Sequence, residues 1–284
     1  MPELPEVETI RKQIETYLVG LTITSIEERP HKMFRGNPTE LVGKKIIAAR
    51  RFGKLLVIDF SDHVSLAIHL KMTGRLTLQE KDKPLPDHTH VIFHLLPLPS
   101  KEGAGVVGAK GEKEFVLIYS DYRRFGFLQI VPTDKVEQLP FIKKLGNEPL
   151  KDFTLQYFQT LCAKAKRPIK TLLMDQEKIA GIGNIYVSEA LWLAKINPTK
   201  KANEVTTQEL HTLFNAIESS LKEGIRRRGA SDNSYRDLLG GKGTYQNFFK
   251  VYNRAGEKCS RCETSIERII QAGRSTFFCP KCQG

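Results

Sequence analysis

The chain reads as an α+β protein in four parts. An N-terminal helix joins a β-sandwich (residues 1–132). A connection follows (133–151), then an all-α domain (152–248) and a small cysteine-bearing ribbon (249–284). Three observations carry this division. Between residues 21 and 131 short runs rich in Val, Ile, Leu and Phe alternate with Gly, Asp or Pro, the signature of strands in a two-layer sandwich or barrel. From residue 152 the apolar residues recur at helical spacing. Four of the five cysteines fall in two Cys-x-x-Cys pairs, a spacing that reads as a metal site and not as disulfides.

Each element has its own signal. Val7, Ile10, Ile14, Tyr17 and Leu18 form one face of a helix over 6–19, and Gly20 stops it. Candidate strands are Lys45–Ala49, Leu55–Phe60, Val64–His69, Leu76–Gln79, His90–Leu95, Phe115–Ser120 and Phe127–Val131. Residues 97–113, rich in Pro, Gly and Lys, read as an exposed hairpin extension. Pro132, Pro140, Gly146 and Pro149 mark the connection. Asp152 is the expected cap of a helix reaching Ala165, with Leu155, Phe158, Leu161 and an inert Cys162 facing inward. Ile169–Asp175 reads as a short helix, and a longer one follows Gly183 through Ala194. Thr206 and Glu209 form a capping box ahead of Leu210, Leu213, Ile217 and Leu221. Residues 225–250 are Gly-rich, basic and aperiodic.

Charge narrows the partners. The 284 residues carry 44 Lys+Arg against 32 Asp+Glu, a net +12, with a pI near 9.4. Residues 151–284 hold 22 basic against 13 acidic side chains, and residues 1–150 hold 22 against 19. Such an excess points to a polyanionic partner, met mainly by the second half. No apolar run is long enough to span a bilayer, and the polar N-terminus lacks a signal-peptide core. A cytoplasmic protein with no membrane partner is expected.

Several short stretches carry chemistry. The chain opens Met1-Pro2-Glu3-Leu4-Pro5-Glu6. Removal of Met1 leaves Pro2 as a secondary amine, and an α-amino group titrates near 7.7–8.0, about 2.5 units below Lys. Such an amine attacks electrophilic carbon and forms a Schiff base. Glu3 and Glu6 stand beside it as proton carriers; the same residues also suit the first turn of a helix. Cys259, Cys262, Cys279 and Cys282, with sixteen residues between the pairs, supply four thiolates for one tetrahedral, structural Zn²⁺. Gly181-x-Gly183-Asn184 before a helix is a turn whose N–H groups suit an anion, with Lys164, Lys166, Arg167 and Lys170 nearby. Asp121-Tyr122-Arg123-Arg124-Phe125-Gly126 sets Arg beside an aromatic at a β turn, a pairing suited to a base stack. Met72, in His69-x-x-Met72-x-Gly74, is a second loop-tip candidate. Arg274, at the tip between the cysteine pairs, suits a phosphate.

Together these stretches closely resemble the bacterial formamidopyrimidine-DNA glycosylases (Fpg/MutM family). The likeness runs through the Pro-Glu-Leu-Pro-Glu-Val-Glu start, Arg50–Lys54, His69–Gly74, Asp121–Gly126, Leu145–Leu150, Gly181–Tyr186, Val251-Tyr252 and the cysteine segment. The resemblance implies that the helical part is a helix–two-turn–helix domain and the end a zinc-finger β-hairpin. It implies base-excision repair: removal of oxidised purines (8-oxoguanine, formamidopyrimidines) from double-stranded DNA, then nicking by β,δ-elimination at the abasic site. Pro2 is similar to the family nucleophile, Glu3 to its general acid/base, and Lys54 to a Lys that contacts the phosphate at the lesion; Glu6 is active-site support. Met72, Arg123 and Phe125 resemble the trio that fills the gap left by a flipped base. Asn184 and Arg274 resemble the phosphate-binding pair, and His69, Lys170, Lys242 and Tyr252 are further DNA contacts. A monomer associated with the nucleoid is implied.

Two other readings remain open at this point. An endonuclease VIII-like relative acts on oxidised pyrimidines, against which stand Leu4 and the Arg123-Arg124-Phe125 run. A non-catalytic zinc-ribbon DNA-binding protein explains the charge and the cysteines without using the Pro-Glu start. Residues 229–246 and the 97–113 extension depart from common family versions.

Overall fold

The computed structural model describes residues 1–96, 114–232 and 234–284. The expected extension at 97–113, and Asn233 within the 229–246 segment, lie outside the described residues. Contacts divide the chain into two units. The first comprises residues 1–2, 6–142 and 230–243; the second comprises 3–5, 143–229 and 244–284.

In the first unit, helix α1 (Leu4–Tyr17) lies against two sheets. The strands are β1 (Ile23–Glu28), β2 (Phe34–Arg35), β3 (Ile46–Phe52), β4 (Leu55–Phe60), β5 (Val64–His69), β6 (Gly74–Glu80), β7 (Thr89–Leu95), β8 (Phe115–Asp121) and β9 (Phe127–Pro132). One sheet has the order β1-β7-β8-β6, the other β2-β9-β5-β4-β3. Period-two alternation sorts the side chains of β4. Leu56, Ile58 and Phe60 enter the core shared with Val7, Ile10, Ile14 and Leu18 of α1, whereas Leu55 and Val57 join a second core with Val136, Leu139 and Ile142. Burial on both faces explains the apolar run Leu55–Ile58.

Two strands escape the sequence reading. β1 is an edge strand whose only apolar residues are Ile23 and Ile26, with a register shift between Ile23 and Ser25. β2 is two residues long. The expected connection is itself structured, with a 3₁₀ turn at Thr133–Gln138 and a short helix α2 (Pro140–Lys143). Residues 230–243, expected in the helical part, pack instead within the first unit. The Ala230 N–H donates to Glu6 Oε1 (2.7 Å), and the Leu238 N–H donates to Gln13 Oε1 (2.8 Å).

The second unit holds α3 (Leu155–Ala163), α4 (Ile169–Leu173), α5 (Asn184–Ala194) and α6 (Thr207–Arg226), then the hairpin β10 (Glu267–Gln271) and β11 (Arg274–Phe278). α3 is capped by Thr154, whose hydroxyl accepts from the Tyr157 N–H, and not by Asp152. The Asp152 carboxylate, two residues before that cap, accepts instead from the Glu148 N–H at 2.6 Å. α6 begins with the expected capping box of Thr206 and Glu209. No helix among the described residues is long and apolar enough to cross a membrane.

Candidate active site and nucleic-acid interface

Pro2 and Glu3 are buried while Met1 is 44% exposed. The Glu3 carboxylate sits at the N-terminus of α5, accepting from the Ile185 N–H (2.9 Å) and more loosely from the Tyr186 N–H (3.4 Å). The Leu4 N–H donates to the Gly181 carbonyl at 3.0 Å. The Gly181–Asn184 turn suits an anion, and the anion on its following N–H groups is the protein's own Glu3. Orphan helix donors and the helix dipole both favour a carboxylate there. Gly183 makes the room: a Cβ on it falls 2.3 Å from Glu3 Cδ. Gln176 braces the turn, accepting from the Gly181 N–H and donating to the Ile182 carbonyl.

Lys54 is buried at the two-residue turn between β3 and β4. Arg51 fixes that turn, donating to the Gly53 carbonyl (2.9 Å) and to Glu8 Oε2 on α1 (3.0 Å). Burial by itself raises the Glu8 pKa, but hydrogen bonds and charge from Arg11 and Arg51 outweigh it and hold the carboxyl below its ordinary value. His69, on the next strand, is pushed down to about 3, by burial first and then by Lys71 and Lys54. It is a neutral ring whose Nδ1 accepts from the Lys71 N–H at 3.1 Å. Glu6 holds the 230–243 segment through Ala230, and the Tyr235 hydroxyl donates to the Glu6 carbonyl.

Met72, Arg123 and Phe125 come together from two loops. Arg123 Nη1 lies 3.5 Å from Met72 Sδ, and its guanidinium is 5.0 Å from the Phe125 ring centre. Met72 is 42% exposed and Phe125 57%, so an apolar tip flanked by a cation faces outward. Sequence reasoning missed the residue that shapes this tip. Asp121 is buried; its carboxylate accepts from the N–H groups of Arg123 (3.2 Å) and Gly126 (2.8 Å) and from the Thr73 hydroxyl. Its place at the head of the Asp-Tyr-Arg-Arg-Phe-Gly turn was the available signal, since Asp there bonds the backbone two residues on.

In the second unit Asn184, Lys170 and Arg274 gather around the ribbon hairpin. Asn184 Nδ2 donates to the Ser275 carbonyl (2.9 Å), while its Oδ1 is buried without a partner among the described residues. Lys170 is 1% exposed, and its ammonium donates to the Ser275 carbonyl (3.0 Å) and Thr276 Oγ1 (2.7 Å). Burial, then the charge of Arg274, brings its pKa down to about 8. Arg167, Lys170, Thr171 and Arg274 line a shallow pocket of about 260 Å³. Glu189, absent from the sequence reading, is buried and accepts from the N–H groups of Lys250, Val251 and Tyr252, fixing the backbone of Tyr252. Lys242 is exposed.

The sulfurs of Cys259, Cys262, Cys279 and Cys282 lie within 4.8 Å of one another, several at 3.3–3.9 Å. Tetrahedral zinc with Zn–S bonds near 2.3 Å sets its sulfurs about 3.8 Å apart, so the four thiolates fit Zn²⁺. Trp192 Nε1 donates to Cys259 Sγ at 3.4 Å, and Arg261 lies over the Trp192 ring.

Family models agree along the length. Residues 1–128 match the formamidopyrimidine-DNA glycosylase N-terminal domain, 145–235 the formamidopyrimidine-DNA glycosylase H2TH domain, and 256–284 the zinc finger found in FPG and IleRS. The chain is 41% identical to the formamidopyrimidine-DNA glycosylase of Desulforamulus reducens over all of this chain and 99% of that one. It belongs to the formamidopyrimidine-DNA glycosylase family. The Lactococcus lactis subsp. cremoris enzyme is 40% identical over all of this chain and 99% of its own length. Among solved structures, Lactococcus lactis Fpg complexed with abasic-site DNA superposes with a TM-score of 0.87 at 38% identity, covering 99% of both chains. A MutM complex with DNA containing carbocyclic 8-oxoG gives 0.85 at 38% identity, again over 99% of both.

Proposed function

We infer that this protein is a DNA glycosylase with abasic-site lyase activity, removing oxidised purines from duplex DNA. The observation that carries the reading is full-length membership of a family whose solved relatives hold abasic-site, Fapy-dG and 8-oxoG DNA. These relatives are bacterial, which supports action at the nucleoid. The protein works as a monomer on the duplex.

The chemistry follows from the residues. With Met1 removed, the Pro2 amine attacks C1′ of the damaged nucleotide and the glycosidic C–N bond breaks. The Glu3 carboxyl protonates the ring oxygen, so the sugar opens to an iminium on Pro2. The iminium acidifies C2′–H. Its loss expels the 3′-phosphate, and loss of the C4′ proton expels the 5′-phosphate. Base removal and nicking thus share one covalent intermediate. Extruding the base costs roughly a few kcal/mol. Insertion of Met72, Arg123 and Phe125 into the stack offsets that cost. Lys54 and His69 meet the strand beside the lesion. Asn184, Arg274, Tyr252 and Lys242 take phosphates, and Lys170 braces the Ser275 backbone next to Arg274. Cys259, Cys262, Cys279 and Cys282 hold the zinc, which supplies folding energy to the ribbon and no chemistry.

The test is borohydride trapping on a duplex containing 8-oxoguanine opposite cytosine, with the adduct mapped by mass spectrometry. A covalent complex on Pro2 is expected, and Pro2→Gly should keep duplex binding while losing nicking. Unchanged nicking in Pro2→Gly removes the proposed nucleophile. An adduct only on an oxidised-pyrimidine duplex would move the assignment to the endonuclease VIII relatives.

A further inference from the structure

Strand β6 is an edge of its sheet. Leu76 and Leu78 face the core, and Arg75, Thr77 and Gln79 face the opposite side. On that side opens a pocket of about 490 Å³, walled by Arg75, Thr77, Ser120, Arg236 and Leu239 among others. Its polar groups are chiefly donors. Arg75 Nε and Thr77 Oγ1 are both buried and lack a hydrogen-bond partner among the described residues. Thr77 as a whole is 8% exposed, and Ser120, directly across from Arg75 on β8, is 3% exposed. Arg236 arrives from the 230–243 segment, held to the edge of β6 by the Leu78 N–H on the Leu238 carbonyl (2.6 Å). The Arg75 and Arg236 guanidiniums therefore share the pocket, Arg236 Nη1 also donating to the Tyr235 carbonyl (2.7 Å). Burial, then the charge of Arg236, lowers the pKa of Arg75. Lys83 adds a third cation at the rim, where it faces Glu80, the one acid in the wall among the described residues, at 3.8 Å.

Buried donors without acceptors are rare, and each calls for an explanation. Like charges held together in a pocket call for an anion. Three cations against one carboxylate exclude a metal cation, and a neutral ligand would leave the repulsion standing. We propose that this pocket binds a phosphate group, seated between the Arg75 and Arg236 guanidiniums and accepting from the Thr77 hydroxyl. Guanidinium presents paired N–H donors that match two phosphate oxygens at once. The bound group would tie β6 to the 230–243 segment, whose Ser234 hydroxyl donates to the Met72 carbonyl. The phosphate comes either from a nucleic-acid strand or from a small free ester.

The site is tested on the full-length zinc-bound protein, with arginine side chains labelled at Nε. Inorganic phosphate, deoxynucleoside monophosphate and an undamaged duplex are titrated separately against sodium chloride of matched ionic strength. Saturable shifts of the Arg75 and Arg236 Nε–H signals are expected. Arg75→Gln should weaken the response of Arg236 at least tenfold. Thr77→Val, which keeps the strand's shape and both charges, should weaken it several-fold. A duplex that moves both signals and competes with inorganic phosphate identifies the strand as the source. A response to the small esters alone identifies a free ligand. No saturable shift, or shifts shared by every arginine, overturns the proposal. Nicking of lesion duplex is measured in parallel, so a failed glycosylase assignment is seen separately.

Discussion

Gly183→Ala should uncouple Glu3 from the chain that holds it. The backbone at Gly183 has φ −132°, open to any residue, so the requirement is for space alone. A methyl there meets Glu3 Cδ at 2.3 Å and Oε1 at 2.4 Å. Either the carboxylate or the turn must move by about 1 Å to reach ordinary contact near 3.5 Å. Moving the carboxylate breaks its bonds to the Ile185 and Tyr186 N–H groups. Hydrogen bonds to a charged group contribute about 1.5–3 kcal/mol each. The 3.4 Å contact lies at the weak end, so the expected loss is about 2–4 kcal/mol. At about 2–4 °C per kcal/mol, the melting temperature should fall by roughly 4–16 °C. Single-turnover nicking should fall by more than duplex affinity, because the displaced group is the proposed proton carrier. Adding Glu3→Ala removes the clash, so the double variant should recover at least 1 kcal/mol over the sum of the singles. Additive stabilities, or a Gly183→Ala protein as stable and active as the wild type, would refute this account of the turn.

Two further outcomes concern the metal and a titration. Chelating zinc should weaken duplex binding and shift the emission of Trp192, the chain's one tryptophan, whose indole N–H sits on Cys259 Sγ; full affinity and unchanged emission in zinc-free protein would contradict a folding role for the metal. His69 has a folded pKa of about 3 against about 6.5 unfolded. Below 6.5 the unfolded chain binds a proton that the folded chain refuses, so the stabilisation is complete above that pH and is lost as pH falls toward 3. Urea unfolding should show this slope reduced in His69→Gln by about 1.4 kcal/mol per pH unit, and equal slopes would contradict a buried neutral ring.

What the sequence disclosed was governed by range. Strands β4 and β5 are legible to the residue because both faces are buried, whereas β1, with two acids among six residues at an edge, offers no pattern. The capping box at Thr206 needs only four consecutive residues and was read correctly. The cap of α3 is ambiguous in sequence because Asp152 and Thr154 are both good caps, and only the bond from Glu148 N–H to Asp152 separates them. The Met72, Arg123 and Phe125 cluster was suspected from two turns, but its support by Asp121 depends on where those turns meet. The Gly181–Asn184 turn was recognised as an anion cradle. Its occupant, more than 170 residues earlier in the chain, is set by packing that no local window contains. Residues 230–243 looked featureless for the same reason: their partners are Glu6, Gln13 and Leu78.

The bond between Glu3 and the start of α5 also sets a timetable. Ribosomes add about 5–20 residues per second, so residues 181–186 follow Glu3 by roughly 10–40 s. During that interval the first residues lack the N–H groups that later hold Glu3, and Pro2, buried in the finished fold, remains open to processing. The nascent chain thus has a period in which its first residues are accessible while Glu3 is not yet seated. Synthesis order therefore completes the seat of Glu3 only when the start of α5 has been made.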